Sequence, residues 1–554
     1  MHGMNNIQKQ SLKYFYDDAF PLFVFCFIGF IVLYFSGVRL PGDSRFVLLT
    51  AQSFIDGNWG DLSSYEYAIR SMGQGEVVRD EPGGLFYYFP IAPSIYVLPI
   101  YSIVTYFDPE LSNAVRVDSL GNLQAFISII YILMTCVVLY FILRRQGQSR
   151  AWAFVLLFLF LFATVNWSQS SRALWSHSPM ILFLSCALFN LQKYQNSRTG
   201  LLWLGFFLGL AFTCRPTAVV PIVIISSYIL FREKVGAWRY FAGASIIALP
   251  WIVFNLYAFH AIMPSYYTAG RVFTDPGLVP EALLGNLISP SRGLLVYSPW
   301  LLFVFVATFM MLRKIWRDQK HELETLETNL LVFVSMATII LHWILISGFP
   351  KWWAGFSYGP RFFIDVFPFL VVLAGALDLD EKIRINLSSL QVNALLYCLL
   401  ISFVLNFRGA ADTDPSVWNS KKRIDYNPER LWSINPPQFM YGLPWGEARW
   451  HFGTRLKPYQ NLPAEITCQD QASILGTFAF VSKPSLDGSN SGSLFPAKGN
   501  HCNQFTLLPP SELKAARNIT ASGWGIQRLQ NGNLRFDKQR SDVSLREIHL
   551  ELEY

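Results

Sequence analysis

Long apolar stretches separated by short polar loops fill the chain from residue 20 to residue 406. A straight transmembrane helix needs roughly 20 apolar residues, and these stretches come near that length or reach it with their polar flanks. The pattern therefore predicts an α-helical polytopic membrane protein with about 11 transmembrane helices in a domain of residues 20–406. The predicted spans cover 20–38, 119–143, 151–165, 178–192, 201–213, 217–231, 240–258, 297–312, 328–347, 362–378 and 388–406.

One further apolar run, residues 85–107, is interrupted by Pro90, Pro93 and Pro99. Proline removes a backbone donor and distorts a helix, so three prolines in one short span would leave carbonyl groups without partners in lipid. We expect helices that lie in the membrane interface here rather than a full span.

Lysine and arginine are concentrated in one alternate set of loops, which the positive-inside rule predicts to be cytoplasmic together with residues 1–19. The opposite, outer loops include a long first loop at 39–118 and two motif-bearing loops at 261–296 and 348–361. An odd number of spans then places the chain after residue 406 outside the cytoplasm. The basic residues of the inner loops are Lys9, Lys13, Arg144, Arg145, Arg150, Lys193, Arg198, Arg232, Lys234, Arg239, Arg313, Lys314, Arg317, Lys320, Lys382 and Arg384.

The tail, residues 407–554, is polar and punctuated by proline and glycine. Its short alternating runs, such as 473–481 and 534–550, are typical of strands and predict a small, mainly β extracytoplasmic domain. Cys468 and Cys502 stand alone in this tail. In an oxidising compartment they could form a disulfide worth about 3–4 kcal/mol, and otherwise they are two unpaired thiols.

Composition narrows the functional class. Hydrophobic residues make up 52% of the chain and charged residues 15%, which excludes an ordinary soluble enzyme. The net charge of +7 comes without a basic run interleaved with polar sequence, so nucleic acid is not an expected partner. No CxxC spacing indicates a tightly bound metal, although a single carboxylate could hold Mg²⁺ or Mn²⁺ weakly.

The first outer loop carries acids at the membrane edge: Asp43 directly after the first span, and Asp80 and Glu81 before the proline-rich run. A partly desolvated carboxylate there can accept the proton of an attacking hydroxyl group. Asp43 also has the sequence context of a helix N-cap. Asp43 is the favoured base because it is tethered closest to the membrane, and the other two acids are its rivals.

A second cluster, residues 168–179, brings Arg172 and His177 to the outer end of an apolar run. They are candidates for phosphate binding and for sugar or acceptor binding, respectively. The alternatives are an interfacial arginine that snorkels and an ordinary helix-end histidine. Arg215 lies at a predicted hairpin between two spans, where a helix-end charge is the favoured interpretation.

A third cluster, residues 351–361, combines two cations with aromatic rings and chain-breaking glycine and proline. Arginine and lysine suit a lipid phosphate, and aromatic faces suit sugar rings. An aromatic belt with snorkelling cations is the alternative, but such a belt needs no ordered turn. The candidates are Lys351, Trp352, Trp353, Tyr358 and Arg361, with Arg292 of the preceding outer loop as a secondary phosphate ligand.

The order of these features resembles the GT-C superfamily of membrane glycosyltransferases, in particular the bacterial relatives of protein O-mannosyltransferases and the lipid A aminoarabinose transferases. The resemblance covers residues 20–406. It rests on the acidic outer loop, Arg172 before a span, the hairpin Cys214-Arg215-Pro216, and the turn Tyr358-Gly359-Pro360-Arg361.

This resemblance implies a hexosyl- or pentosyltransferase that uses a polyprenyl-phosphate sugar as donor and inverts the anomeric carbon. It also implies that the base comes from the first outer loop, where Asp43 matches. The acceptor would be a glycan, a lipid or a protein on the outer face of a bacterial inner membrane.

Two other functions remain open from the residues alone. A transporter or flippase of a lipid-linked saccharide would place ionisable residues near the middle of its spans. A structural subunit of an envelope assembly, organised by the tail, would not depend on Asp43.

Overall fold

The computed structural model describes residues 6–39, 42–66, 69, 78–81, 84–108, 117–193, 198–233, 235–267, 276–317, 329–376, 388–443, 460–468, 474–481, 489–495, 504–508, 518–520, 524–529, 534–538 and 548–553. The chain divides into two units, residues 1–449 and 450–554. This division at 449/450 comes later in the chain than the domain boundary that we predict at 406/407.

The reason for the later boundary is the packing of residues 412–443 against the helical unit. Gln438 is fully buried there, and its side-chain amide donates to the carbonyl of Ser357 at 2.8 Å. Tyr441 and Trp432 pack against a cluster that includes Trp418. Although this segment is polar in sequence, its contacts belong to the helical unit.

Among its described residues, the first unit is almost entirely helical, with one small hairpin, β1 (Val78–Glu81) and β2 (Gly84–Tyr87), paired antiparallel. Its helices are α1 (Asn6–Phe35), α2 (Val47–Ile55), α3 (Ala92–Tyr96), α4 (Leu98–Phe107), α5 (Val117–Arg145), α6 (Arg150–Phe162), α7 (Val165–Ser168), α8 (His177–Lys193), α9 (Arg198–Cys214), α10 (Val219–Arg232), α11 (Ala237–Phe259), α12 (Val279–Ile288), α13 (Leu294–Tyr297), α14 (Leu301–Arg317), α15 (Leu330–Ser347), α16 (Phe367–Ala376), α17 (Ser389–Ala411) and α18 (Asp414–Lys421).

Membrane-spanning helices make up the framework of this unit. Within the described ranges, five helices are long and apolar enough to cross a bilayer, or six if a bent pair counts as one span. The five comprise Asp17–Phe35 of α1, Gly121–Arg145 of α5, and the helices α11, α15 and α17. The chain is thus an α-helical integral membrane protein, and a total of about 11 spans stays a prediction.

The bent pair joins α6 to the segment 165–172 at an angle of 44°. A break in a helix exposes carbonyl groups that lipid cannot satisfy. Here the carbonyl of Ala163 accepts hydrogen bonds from the Ser298 hydroxyl at 2.9 Å and from the Trp300 indole at 3.1 Å. These side chains of a neighbouring segment make the bend compatible with a membrane interior.

Helices α9 and α11 pack backbone to backbone. A Cβ atom added at Gly205 would lie 1.9 Å from the Tyr240 carbonyl oxygen, and one added at Gly243 would lie 2.0 Å from that of Leu202. Glycine is required at both positions for this close approach, which is a common way to associate helices in lipid.

The proline-rich run 85–107 contains β2 and the two short helices α3 and α4 instead of one spanning helix. Pro93 and Pro99 lie in the first turns of these helices, where no donor is lost. Along α4, Ile103, Tyr106 and Phe107 are exposed, as expected for a helix that rests against lipid.

The second unit contains a sheet of eight antiparallel strands in the order β7-β10-β5-β4-β3-β6-β9-β8. The predicted bridge between Cys468 and Cys502 lies outside the described residues, because Cys502 does. The strands are β3 (Gln460–Cys468), β4 (Ile474–Val481), β5 (Ser489–Phe495), β6 (Gln504–Leu508), β7 (Asn518–Thr520), β8 (Trp524–Arg528), β9 (Leu534–Lys538) and β10 (Ile548–Glu553).

A buried carboxylate anchors α1 at the end of the bundle that we predict to be cytoplasmic. Asp18 is 1% exposed, and it accepts a hydrogen bond from Tyr140 at 2.5 Å and one from Arg144 at 3.2 Å. Arg150 forms an ion pair with its other oxygen. The charge is therefore compensated on both oxygens, which a carboxylate withdrawn from water requires.

Replacing this carboxylate should destabilise the bundle. In Asp18→Asn two arginines lose their counter-charge, and we expect a loss of about 3 kcal/mol in the free energy of unfolding, visible as a lower Tm in detergent. The matched control is Asp17→Asn, because Asp17 is exposed on the same helix. Equal Tm values for the two variants would contradict a stabilising role for Asp18.

Candidate active site

Asp43 and Arg361 meet in space although 318 positions separate them. Arg361 Nη1 donates to Asp43 Oδ2 at 3.2 Å. The side chain of Asp43 is 44% exposed and that of Arg361 is 11% exposed. Water thus reaches the carboxylate while the guanidinium is largely enclosed, an arrangement suited to a charged ligand that enters from the aqueous side.

Local structure places both residues of this pair. Asp43 lies in a 3₁₀ turn, Gly42–Ser44, shortly after α1, and its backbone carbonyl accepts a hydrogen bond from the Tyr87 hydroxyl. Arg361 begins the 3₁₀ helix Arg361–Val366, and its guanidinium lies 4.5 Å from the centre of the Trp175 ring. An aromatic residue therefore contacts the backbone of Asp43 and another contacts the guanidinium of Arg361.

Three buried polar atoms around this pair have no hydrogen-bond partner among the described residues: Arg361 Nε, Trp175 Nε1 and His177 Nε2. Buried polar atoms are nearly always paired in folded proteins, so each such exception needs an explanation. A ligand with several oxygen atoms would supply the missing partners.

A fully buried carboxylate, Asp365, lies next to this site. His177 Nδ1 donates to its Oδ1 at 2.6 Å, while Arg215 Nε at 3.3 Å and the Thr217 hydroxyl at 2.8 Å donate to Oδ2. His342 Nε2 lies 3.9 Å from Oδ2. The N-terminus of α8, the turn between α9 and α10, and helix α15 thus converge on one charge.

Arg215 is held by this carboxylate and remains charged. Burial alone would lower the pKa of Arg215, but Asp365, together with Tyr267 and Tyr266, raises it above its usual value. One of its terminal nitrogens also donates to the Ser176 hydroxyl at 3.2 Å. The sequence predicts a helix-end charge at Arg215, whereas the structure pairs Arg215 with Asp365, which lies in the 3₁₀ helix that begins at Arg361.

Aromatic residues form a wall close to these charges. The ring of Tyr266 lies 4.8 Å from that of Phe89 and 5.2 Å from that of Tyr88. Burial raises the pKa of Tyr266, and Asp43 adds to the rise, while Arg361 opposes it. The same phenol is therefore within electrostatic reach of both members of the ion pair.

Arg292 has a structural role. Its five N–H groups are committed within the protein, because Nε donates to the Trp353 carbonyl at 2.9 Å and both terminal nitrogens donate twice. It is also 1% exposed. No donor is left for a phosphate, so the structure does not place Arg292 as a phosphate ligand.

Arg172 is likewise enclosed. It is completely buried and donates to the carbonyl of Leu33, in the last turn of α1, and to the Ser171 hydroxyl. A cation at a helix C-terminus satisfies unpaired carbonyl groups and interacts favourably with the helix dipole. These contacts account for Nε and Nη2, while Nη1 is buried without a hydrogen-bond partner among the described residues.

The predicted aromatic contacts of the 351–361 turn are also buried. Trp352 and Trp353 are 5% and 8% exposed and pack in a cluster with Trp418. Tyr358 is 1% exposed and its hydroxyl donates to the Leu405 carbonyl at 2.7 Å. These rings build the turn and present no free face to a sugar.

The remaining predicted residues lie at the edges of the site or outside the description. Lys351 is 58% exposed and forms an ion pair with Asp425. Glu81 is half-buried at the end of β1, and the side chain of Asp80 lies outside the described residues. The described part of the chain contains no cluster of three or more His, Cys, Asp or Glu residues that could hold a metal ion.

Sequence reasoning missed Asp365, Thr217 and His342. A signal existed for two of them, because an acid or a histidine inside an apolar run is rarely placed there without a functional or structural need. Asp365 follows Arg361 within the predicted span 362–378, and His342 lies inside the span 328–347. Thr217 carried no comparable signal.

The support of Arg361 by Trp175 can be tested at Gly42. A Cβ added there would lie 2.8 Å from the Trp175 ring, at φ +38°. Gly37 is the control, since its φ is +86° and its added Cβ would contact nothing within 4 Å. We expect Gly42→Ala to lower the free energy of unfolding by about 1–3 kcal/mol more than Gly37→Ala. Equal losses of unfolding free energy in the two variants, measured by thermal unfolding, would show that the Trp175 ring moves aside without destabilising the protein.

Comparison with known proteins matches part of this unit. A family model described as dolichyl-phosphate-mannose-protein mannosyltransferase matches residues 118–257, which include His177 and Arg215 but neither Asp43 nor Arg361. No curated protein matches the sequence.

Among solved structures, the fold is similar to a crystal structure of ArnT from Cupriavidus metallidurans bound to undecaprenyl phosphate. The identity is 14%, the match covers 71% of this chain and 68% of that chain, and the TM-score is 0.43. A similarity this distant carries no argument about individual residues. The family match confirms the resemblance to membrane mannosyltransferases that we inferred from the sequence, over residues 118–257.

Proposed function

We propose that this protein is an integral membrane glycosyltransferase that moves a sugar from a polyprenyl-phosphate lipid to an acceptor on the outer face of the membrane. The observation that carries the proposal is the half-exposed Asp43 carboxylate paired with Arg361, with a second cation, Arg215, bound to Asp365 of the same 3₁₀ helix. Transfer from a lipid phosphate to a hydroxyl group needs a base and fixed cations within one site.

Arg361 and Arg215 would bind the phosphate of the donor. Arg361 has a buried, unpartnered Nε and one terminal nitrogen shared with Asp43. Arg215 is oriented through its Nε by Asp365, which leaves part of its guanidinium for another acceptor. Negative charge builds on the phosphate oxygen as the bond to the sugar breaks, and preorganised cations stabilise that charge.

Asp43 would act as the general base. The acceptor oxygen attacks the anomeric carbon from the face opposite the phosphate, the carbon–oxygen bond to the phosphate breaks, and the bonding electrons leave with the phosphate. The acceptor proton passes to the Asp43 carboxylate. The products are the inverted glycoside and the polyprenyl phosphate. Asp80 and Glu81 remain the rival bases.

The ion pair suggests an order of binding. Without a ligand, Asp43 Oδ2 is occupied by Arg361. A donor phosphate that competes for Arg361 would release this oxygen and make the base available only when the donor is present. If the enzyme uses a weakly bound Mg²⁺ or Mn²⁺, the half-exposed carboxylate of Asp43 would be its ligand.

The sugar would contact aromatic residues other than those predicted. The wall formed by Tyr88, Phe89 and Tyr266 lies close to the ion pair, whereas Trp352 and Trp353 are enclosed in the turn. The unpartnered Nε2 of His177 could accept a hydrogen bond from a sugar hydroxyl, because its Nδ1 donates to Asp365. His177 therefore keeps the sugar-binding role that the sequence suggested.

Location follows from the positions of the helix ends. The site collects the end of α1, the N-terminus of α8 and the turn between α9 and α10, while arginines mark the opposite ends of α5 and α10. By the positive-inside rule the site faces outward. We propose a bacterial inner membrane with the N-terminus in the cytoplasm and the eight-stranded unit outside.

A transporter or flippase of a lipid-linked saccharide is the second candidate. The buried cluster around Asp365 favours it to a degree, because ionisable groups inside a helix bundle often line a transport path. Incubation of the purified protein with labelled polyprenyl-phosphate sugars distinguishes the two functions. Release of polyprenyl phosphate supports a transferase, and movement of the intact lipid across a vesicle membrane supports a flippase.

Arg361→Lys should lower transfer by a factor of about 10²–10³ while the protein stays folded, because an ammonium group cannot replace a guanidinium that stacks on Trp175 and is shared between Asp43 and the proposed donor phosphate. The measurement is release of polyprenyl phosphate at saturating donor. Arg430→Lys is the matched control, since Arg430 stacks on Trp418 at 4.2 Å away from Asp43. Wild-type turnover of Arg361→Lys would contradict a role in phosphate binding and favour the alternative of a snorkelling cation in an aromatic belt.

Asp43→Asn should lower transfer by a factor of roughly 10²–10⁴ and leave donor binding intact, because the amide keeps the shape of the side chain and loses its basicity. Turnover and donor affinity are measured separately on the same preparation. Normal transfer by Asp43→Asn together with inactive Asp80→Asn or Glu81→Gln would move the base to the second acidic pair. Activity in all three variants would refute the transferase proposal.

A further inference from the structure

An apolar groove lies on the outside of the helical unit, between α5, α8 and α9. Its volume is about 450 Å³, within the range of small-molecule sites. The groove opens toward the surroundings of the bundle, because Trp203 on its wall is 48% exposed. It is lined by Val138, Phe141, Cys186, Phe189, Asn190, Trp203 and Phe207.

The one polar side chain on this wall does not make the groove polar. Asn190 donates its amide hydrogen to the carbonyl of Cys186, one turn earlier in α8. The other side chains that line the groove are aliphatic or aromatic, apart from the thiol of Cys186. A hydrocarbon chain therefore suits this surface better than a polar ligand does.

A cation lies at the end of the groove. The guanidinium of Arg145, the last residue of α5, lies 4.2 Å from the centre of the Phe189 ring. Arg145 is half-buried and makes neither an ion pair nor a hydrogen bond with any residue that the structure describes. Its neighbour Arg144, in contrast, is paired with Asp18.

The groove is separate from the candidate active site. Helix α8 begins at His177 in that site, and its groove residues lie 9 to 13 positions later, which corresponds to roughly 14–20 Å along the helix axis. The basic loops predict that this end of α8 is cytoplasmic. A lipid whose phosphate is bound by Arg361 would therefore be a different molecule from one whose phosphate meets Arg145.

We propose that the groove is a binding site for an anionic phospholipid of the cytoplasmic leaflet. One acyl chain lies between α5, α8 and α9 against Phe189 and Trp203, and the phosphate group pairs with Arg145. A guanidinium at the end of an apolar groove matches a lipid with a negatively charged headgroup and a long acyl chain. This site does not depend on the proposed transferase function.

Native mass spectrometry of the full-length protein tests the proposal, with phosphatidylglycerol, phosphatidylcholine and polyprenyl phosphate added separately after delipidation. We expect phosphatidylglycerol to bind at least tenfold more tightly than phosphatidylcholine. Arg145→Gln should remove this preference, and Arg145→Lys should retain most of it because the charge remains. Arg239→Gln is the matched control, since Arg239 also lies in a predicted cytoplasmic loop and stacks on a ring, that of Trp238, away from the groove.

The position of the lipid is checked by fluorescence with phosphatidylglycerol that carries bromine in its acyl chains. Bromine quenches nearby tryptophan, so the quenched fraction should fall in Trp203→Phe and should not fall in Trp238→Phe. An unchanged lipid preference in Arg145→Gln, or equal quenching in the two tryptophan variants, would overturn the proposal. Binding of polyprenyl phosphate that exceeds that of phosphatidylglycerol and requires Arg145 would also overturn it.

Discussion

The buried charge of Asp365 is the constraint on which the end of the helix bundle that carries Arg361 depends. A carboxylate without water is stable only when both oxygens are compensated, and here the compensating groups come from two separate parts of the chain: His177 at the start of α8, and Arg215 with Thr217 in the turn before α10. Meeting this requirement brings the start of α8 and the turn before α10 against the 3₁₀ helix that carries Arg361. The packing of these segments around the 3₁₀ helix of Arg361 thus depends on one buried charge.

Two arginines with similar sequence surroundings have different roles. Arg292 and Arg361 each stand close to a glycine and a proline in a loop that we predict to be an outer one. Arg292 is surrounded by acceptors, among them Asn419 and Gln438 from the segment after the last helix, whereas Arg361 keeps one donor without a partner. The difference is created by tertiary contacts and leaves no trace in the local sequence.

This distinction explains what the sequence can predict. Apolar runs report burial in lipid directly, so the polytopic helical architecture follows from them. The proximity of Asp43 to the membrane edge also follows, because the residue comes shortly after the first helix. The pairing of Asp43 with Arg361 does not follow, since it is set by the packing of helices that are distant in sequence. The burial of Trp352 and Trp353 does not follow from the sequence either. Whether an aromatic ring is exposed to a sugar depends on residues that are distant in sequence, here Trp418.

The packing of residues 412–443 against the helical unit has a consequence for the order in which the protein is assembled during synthesis. Gln438 joins the guanidinium of Arg292 to the backbone of Gly359 and Ser357, so the turn before Arg361 is completed by residues that follow every helix of the bundle. During insertion into the membrane, α1 and its adjoining Asp43 are in place long before this segment emerges. The whole helical unit is therefore synthesised before the turn that precedes Arg361 can make these contacts.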